Sequence, residues 1–204
     1  MYDADYFERG VEAGVSLYSN YRWQPELTIP MAHEIMRITG ISDGDRVLDY
    51  GCAKGYLVRA LRLLHVKAWG YDISEYAVSE CPKEVKGYIQ TIGSDIGIPD
   101  QYHLVIAKDV LEHLDDDMLD DQLQWLAGLT MNIFVMVPLG DGEKYIIPSY
   151  ELDKTHVQRR TLEWWKKKLE QFGFDVEARY QWGHLKENWT AVNLQGNGFL
   201  LGKR

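Results

Sequence analysis

Cysteine is scarce: the 204-residue chain has only Cys52 and Cys81, too few for a disulfide-dense secreted scaffold. No apolar run approaches the roughly 18 to 20 residues that a membrane-spanning helix needs. The acidic, polar start MYDADYFERG lacks the pattern of a signal peptide. Positive charge is in deficit, 22 Lys and Arg against 31 Asp and Glu, for a net charge of −9. Nucleic-acid phosphate repels such a chain unless its basic residues cluster. Internal repeats and low-complexity segments are missing too. What is present is an ordinary globular composition, 46% hydrophobic and 26% charged, in a chain long enough to bury its own core. The expectation is a cytoplasmic globular protein without a membrane partner.

The chain divides into an aromatic-rich arm and an alternating strand–helix region. Tyr2, Tyr6, Phe7, Tyr18, Tyr21 and Trp23 crowd the first 25 residues. Pro25 and Pro30 mark the approach to a helix near 27–38, and Gly40 suits its stop. Strands are expected at 46–50, 66–71, 87–92, 103–107, 133–137, 174–180 and 198–203. Helices are expected between most of them: one with Leu57, Ala60, Leu61 and Leu64 on one face, one capped by Ser74, one from Val110, one near 117–128 and one at 161–172. Such alternation implies a mostly parallel sheet covered on both faces. The last two strands have no helix between them, so the final strand should run antiparallel.

The chemistry concentrates at Val47-Leu48-Asp49-Tyr50-Gly51-Cys52-Ala53-Lys54-Gly55-Tyr56-Leu57. A buried strand ends in an acid, then a small-residue turn, then a helix. In open α/β sheets ligands sit outside the carboxyl ends of the strands, at the switch point. Gly51 and Gly55 let backbone approach a ligand that a Cβ would block. The turn reads G-x-x-x-G, which is neither the dinucleotide G-x-G-x-x-G nor a P-loop, since Tyr56 rather than Lys follows Gly55. The Asp49 carboxylate would repel a pyrophosphate and attract a cation.

This segment resembles motif I of the class I S-adenosylmethionine-dependent methyltransferases. Trp69-Gly70-Tyr71-Asp72-Ile73-Ser74 resembles motif II, Gly93-Ser94-Asp95-Ile96 the segment that meets the adenine, and Lys108-Asp109-Val110-Leu111-Glu112-His113-Leu114 the end of strand four in small-molecule members. The motifs follow the family order across residues 40–180. The resemblance implies a Rossmann-like, doubly wound α/β fold with a seven-stranded, mostly parallel sheet and an antiparallel last strand. It implies S-adenosylmethionine as cofactor and S-adenosylhomocysteine as product. Asp49 and Gly51 would flank the methionine part, Ala53 and Gly55 line the turn, and Asp72 accept from both ribose hydroxyls. Ile73 would pack on the adenine, Asp95 accept from its amino group with Ile96 beside it, and Lys108 lie near the methionine end. Ala53 departs from the glycine most common there. Taken singly, Asp72 could instead cap the Ser74 helix and Asp95 serve a turn.

Methyl transfer to a hydroxyl or ammonium needs a base nearby. The candidates are His113, His156, Asp109 and Glu112, with His113 and His156 taken as the catalytic pair. Asp109, Glu112 and His113 stand at i, i+3 and i+4, on one face if a helix begins near 109. Adding His156 would make a two-carboxylate, two-histidine site for a divalent metal; some ubiquinone-pathway and small-RNA methyltransferases use a comparable E-x-x-E-H face, though the first acid here is Asp109. Residues 138–157 are long for a connection and suit an acceptor loop. The organisation expected is a cap and helix over 1–39 and a cofactor-binding domain over 40–204. The expected reaction is methylation of a small molecule such as a sugar. The rival readings are a nucleotide-dependent oxidoreductase, a non-catalytic binding module, and a nucleic-acid methyltransferase using the basic cluster at 154–168.

Overall fold

The structure, a computed structural model, describes residues 2–93, 99–186 and 195–204. Seven strands form one sheet: β1 (Arg46–Tyr50), β2 (Lys67–Asp72), β3 (Ile89–Thr91), β4 (Leu104–Lys108), β5 (Asn132–Pro138), β6 (Asp175–Arg179) and β7 (Asn197–Lys203), in the order β3-β2-β1-β4-β5-β7-β6. The first five are parallel, with Val47 opposite both Ala68 and Leu104. β7 runs antiparallel to β5 and to β6.

Alternation along the central strands sorts side chains to two cores. Leu48, Tyr50, Val105, Ala107, Ile133 and Val135 face one side. Helices α6 (Asp116–Leu129) and α7 (Leu162–Glu170) cover it with Leu119, Leu123, Trp165 and Leu169. Val47, Leu104, Ile106, Phe134 and Met136 face the other. Helices α3 (Pro25–Thr39) and α4 (Tyr56–Leu63) cover that side with Ala32, Ile35, Val58 and Leu61. Two short helices, α1 (Ala4–Glu8) and α2 (Gly10–Ala13), lie in the arm, and α5 (Glu75–Ser79) follows β2.

Two helix expectations are corrected. α3 begins at Pro25 and contains Pro30. Pro25 at the first turn sacrifices no backbone bond, and burial of Ala32 and Ile35 carries the helix past the donor that Pro30 lacks. No helix starts at Val110. Asp109 takes a left-handed conformation, φ 53°, and only a 3-10 turn forms over Leu111–His113. α6 starts five residues after Leu111, where the Asp115 side chain accepts from the Met118 N–H. Asp109, Glu112 and His113 therefore do not share a helical face.

From β1 the chain winds outward to β2 and β3, then returns to β4 beside β1. The gap between the carboxyl ends of β1 and β4 is the switch point where ligands of such sheets sit. The arm packs at this end of the sheet. Tyr6 and Phe7 are buried there with Tyr2, Tyr18, Tyr21 and Tyr76, and the Tyr18 and Tyr21 rings meet edge to face at 4.8 Å.

Candidate active site

The turn after β1 is held by backbone bonds to its neighbour strand. The Gly51 and Cys52 N–H groups both donate to the Tyr71 carbonyl, at 2.7 and 3.0 Å. Gly51, Ala53 and Gly55 all have left-handed backbone, with φ 76°, 49° and 73°. Ala53 accepts that conformation without being glycine. A Cβ on Gly51 would sit 2.4 Å from Val110 Cγ2, so close approach as well as backbone geometry demands glycine there.

Asp72, at the end of β2, ties the turn together. One carboxylate oxygen accepts from Ala53 N–H at 2.7 Å, the other from Ser74 N–H at 2.8 Å, and Ser74 itself caps α5. Each oxygen keeps a further lone pair. Burial raises the Asp72 carboxyl, against the opposing pull of these N–H groups. Asp49 is buried at the end of β1, and burial pushes it up to about 7, with Lys108 opposing and Asp72 reinforcing.

A cleft of about 910 Å³, counting its open mouth, lies at the switch point. Gly51, Ala53, Asp72 and Ile73 form its floor, and Tyr2, Tyr6, Phe7 and Tyr18 of the arm form its cover. Ile73, Ile92 and Met118 leave apolar surface at its rim. An adjoining cavity contains Asp49, Lys108 and Arg22, and shares Tyr18, Gly51, Ala53 and Asp109 with the first. Gly55 ends the turn with its Cα against Ile89. Asp95 and Ile96 lie outside the described residues. Lys54, in the turn, is buried against the arm through Glu8 at 2.5 Å and the Tyr21 carbonyl at 3.2 Å.

The two histidines meet although 43 positions separate them. Val157 and Gln158 N–H groups donate to the Glu112 carbonyl, at 2.9 and 3.1 Å, which docks the 138–157 loop on the 3-10 turn. The His113 and His156 ring centroids are then 4.7 Å apart. Burial and the neighbouring ring lower His113 to about 4, and burial lowers His156. His156 Nδ1 lies 3.0 Å from the Tyr150 carbonyl, which can only accept, so its Nε2 is bare. His113 lines the main cleft.

Glu112 is fully buried, and its Oε2 has no hydrogen-bond partner among the described residues. Burial, then Asp109, push its carboxyl well above the ordinary range. Asp109 is lowered despite burial, because the Lys108 and Lys186 ammoniums both bond to it. One ligand atom each from Glu112, His113 and His156 lie within 4.8 Å of one another, a spacing compatible with a divalent ion. Asp109 is not part of that group. No sequence pattern pointed to Lys186, which reaches Asp109 from a distant loop, or to Asn197, which accepts from Lys186 at 3.2 Å and from Tyr150 at 2.8 Å.

Among the described residues, five of the six basic residues in the 154–168 cluster, all but Lys154, pair with acids of the same chain. Arg159 pairs with Glu151 at 2.8 Å, Arg160 with Asp116 at 3.0 Å and Lys168 with Asp120. Lys166 and Lys167 each face a glutamate one turn away on α7. The Cys52 thiol is buried and pushed well up by that burial, which suits an inert packing residue rather than a nucleophile. No helix among the described residues is long and apolar enough to cross a membrane.

A family model described as "Methyltransferase domain" matches residues 24–179. Comparison with curated proteins finds no match. Among solved structures, a SAM dependent methyltransferase from Archaeoglobus fulgidus is 21% identical with a TM-score of 0.63, over 86% of this chain and 93% of that one. The [4+2]-cyclase SpnF is 13% identical with a TM-score of 0.62, over 86% and 81%. Phosphoethanolamine N-methyltransferase 2 of Haemonchus contortus, solved with S-adenosyl-L-methionine, is 15% identical with a TM-score of 0.62, over 86% of this chain and 52% of that one.

Proposed function

The chain belongs to the methyltransferase-domain family, and from that premise we propose that it methylates a hydroxyl or amine of a small molecule, with S-adenosylmethionine as donor. The observation that carries this reading is the pair of joined cavities at the switch point, one holding Asp72 and the other Asp49. In it, residues 1–39 supply the aromatic-rich cap and helix α3, and 40–204 the cofactor-binding domain.

The residues fit the donor. Asp72 keeps lone pairs for two ribose hydroxyls after its two backbone bonds. Ile73, Ile92 and Met118 offer apolar surface to a purine. Asp49 would face the amino-acid ammonium, with Lys108 and Arg22 in the same cavity for the carboxylate. Asp95 and Ile96 are retained in this proposal as the adenine-edge contacts, and Gly51, Ala53 and Gly55 as the turn that admits the ligand. S-adenosylmethionine supplies an electrophilic methyl group on a sulfonium. His113, neutral above about pH 4, would take the proton from the acceptor, with His156 beside it. The aromatic arm lines one side of the cleft, and rings placed there would help keep water from a bound donor, which favours a small acceptor. The internal pairing of the basic cluster leaves little field to hold a polyanion.

Calorimetric titration with S-adenosylhomocysteine tests the reading. The wild type should bind at micromolar Kd, and Asp72→Ala should bind about tenfold or more weakly, as loss of charged hydrogen bonds predicts. No binding to well-folded wild type would sink it.

Asp49 gives the same titration a pH signature. With its carboxyl near 7 in the free protein, about half the molecules are protonated at neutral pH. A cationic ammonium favours the carboxylate, so binding should expel up to about half a proton at pH 7. Affinity should rise as pH climbs through about 7. Titrations in buffers of different ionisation heat would show the release in wild type and its loss in Asp49→Asn.

A further inference from the structure

We propose that Asp153 and Thr155 are positioning residues that lock His113 in one tautomer, with the proton on Nδ1 and a bare Nε2. Thr155 Oγ1 lies 2.6 Å from Asp153 Oδ1 and 2.7 Å from His113 Nδ1. Two oxygens that close repel unless a proton lies between them, and the hydroxyl has one to give. Thr155 therefore spends its proton on Asp153 and can offer His113 only a lone pair. The 2.7 Å contact then needs an N–H on His113 Nδ1. A neutral imidazole carries one N–H, so Nε2 is left as an acceptor.

Asp153 is itself fixed. Its Oδ1 also accepts from Thr155 N–H at 2.9 Å, and its Oδ2 accepts from the Tyr6 hydroxyl at 2.9 Å. Tyr6 belongs to the arm, and Lys154 N–H donates to the Val15 carbonyl at 3.0 Å beside it. The relay is thus assembled where the arm meets the acceptor loop, and the side chains of Asp153 and Thr155 are buried. Its consequence for catalysis rests on the reading of His113 as base; the tautomer itself does not.

The test uses full-length protein labelled with ¹⁵N in the histidine rings, observed by long-range ¹H–¹⁵N correlation, with His113→Gln to assign the signals. Wild-type His113 should show a protonated Nδ1 and an unprotonated Nε2. Thr155→Val, which keeps the shape and removes the hydroxyl, should shift the ring to a mixture of tautomers, and Thr155→Ser should restore the wild-type pattern. Asp153→Asn should also disturb it, which serves if the valine variant folds poorly. A wild-type ring protonated on Nε2, or one unchanged in Thr155→Val, overturns the proposal. S-adenosylhomocysteine titration of the same samples reports separately on the methyltransferase reading, because none of these side chains is assigned to cofactor binding.

Discussion

Gly51→Ala should lower the melting temperature by on the order of 10 °C and abolish measurable S-adenosylhomocysteine binding. Two effects add. An alanine in left-handed backbone costs about 1–2 kcal/mol, and φ here is 76°. The new Cβ would lie 2.4 and 2.7 Å from Val110 Cγ2 and Cβ. Valine is stiff about χ1, so relief requires backbone movement, and such overpacking costs about 1–3 kcal/mol. Together about 2–5 kcal/mol in a chain of this size corresponds to that shift. The movement falls on the cleft, since Gly51 and Val110 both line it. Ala53 tolerates left-handed backbone in the same turn, so the clash should be the larger share. Adding Val110→Ala removes the 2.4 Å contact and keeps the Cβ at 2.7 Å, so it should recover part of the lost stability, measured by thermal melts of the single and double variants. If the double variant is no better than Gly51→Ala, the backbone and not the contact sets the requirement.

The same residues show what sequence could and could not convey. Strand positions were legible because alternation and apolar runs are local: Val47 and Leu48 fall on opposite faces, as period two requires. The antiparallel β7 followed from a missing helix. Asp72 and Asp49 were legible as residues at the carboxyl ends of β2 and β1, where the strand order places the cleft. The helix expected from Val110 failed because one residue, Asp109, takes a conformation that non-glycine residues seldom adopt, and two lysines hold it there. One of them, Lys186, is 77 positions away, so no local pattern announces it. His156 was visible as a histidine in a long loop, but its seat beside His113 depends on two backbone bonds to Glu112, and backbone bonds carry no residue signature. The spacing Asp153-Lys154-Thr155-His156 did hold a signal that was missed. An aspartate two before a threonine readily accepts from its backbone and hydroxyl, and that turn is what presents Thr155 to His113.

His113→Gln should reduce kcat by about 10² to 10⁴ and leave S-adenosylhomocysteine affinity within about twofold of wild type. Glutamine preserves size and hydrogen bonding and cannot take up a proton, so the loss isolates proton transfer from packing. His113 lines the same cleft as Asp72, Ile73 and Met118, but none of the contacts proposed for the donor is assigned to it, so donor affinity should change little. The assay is release of S-adenosylhomocysteine across a panel of hydroxyl- and amine-bearing metabolites, followed by kcat and KM for the acceptor found. A fall in kcat with KM unmoved identifies an interaction made in the transition state. Thr155→Val should lower kcat less than His113→Gln does, and combining the two should add nothing, because Thr155 acts only through the ring it orients. Additive losses would mean that Thr155 works by another route. A His113→Gln enzyme within threefold of wild type would place the base elsewhere, and His156, 4.7 Å away between ring centres, would be the next residue to change.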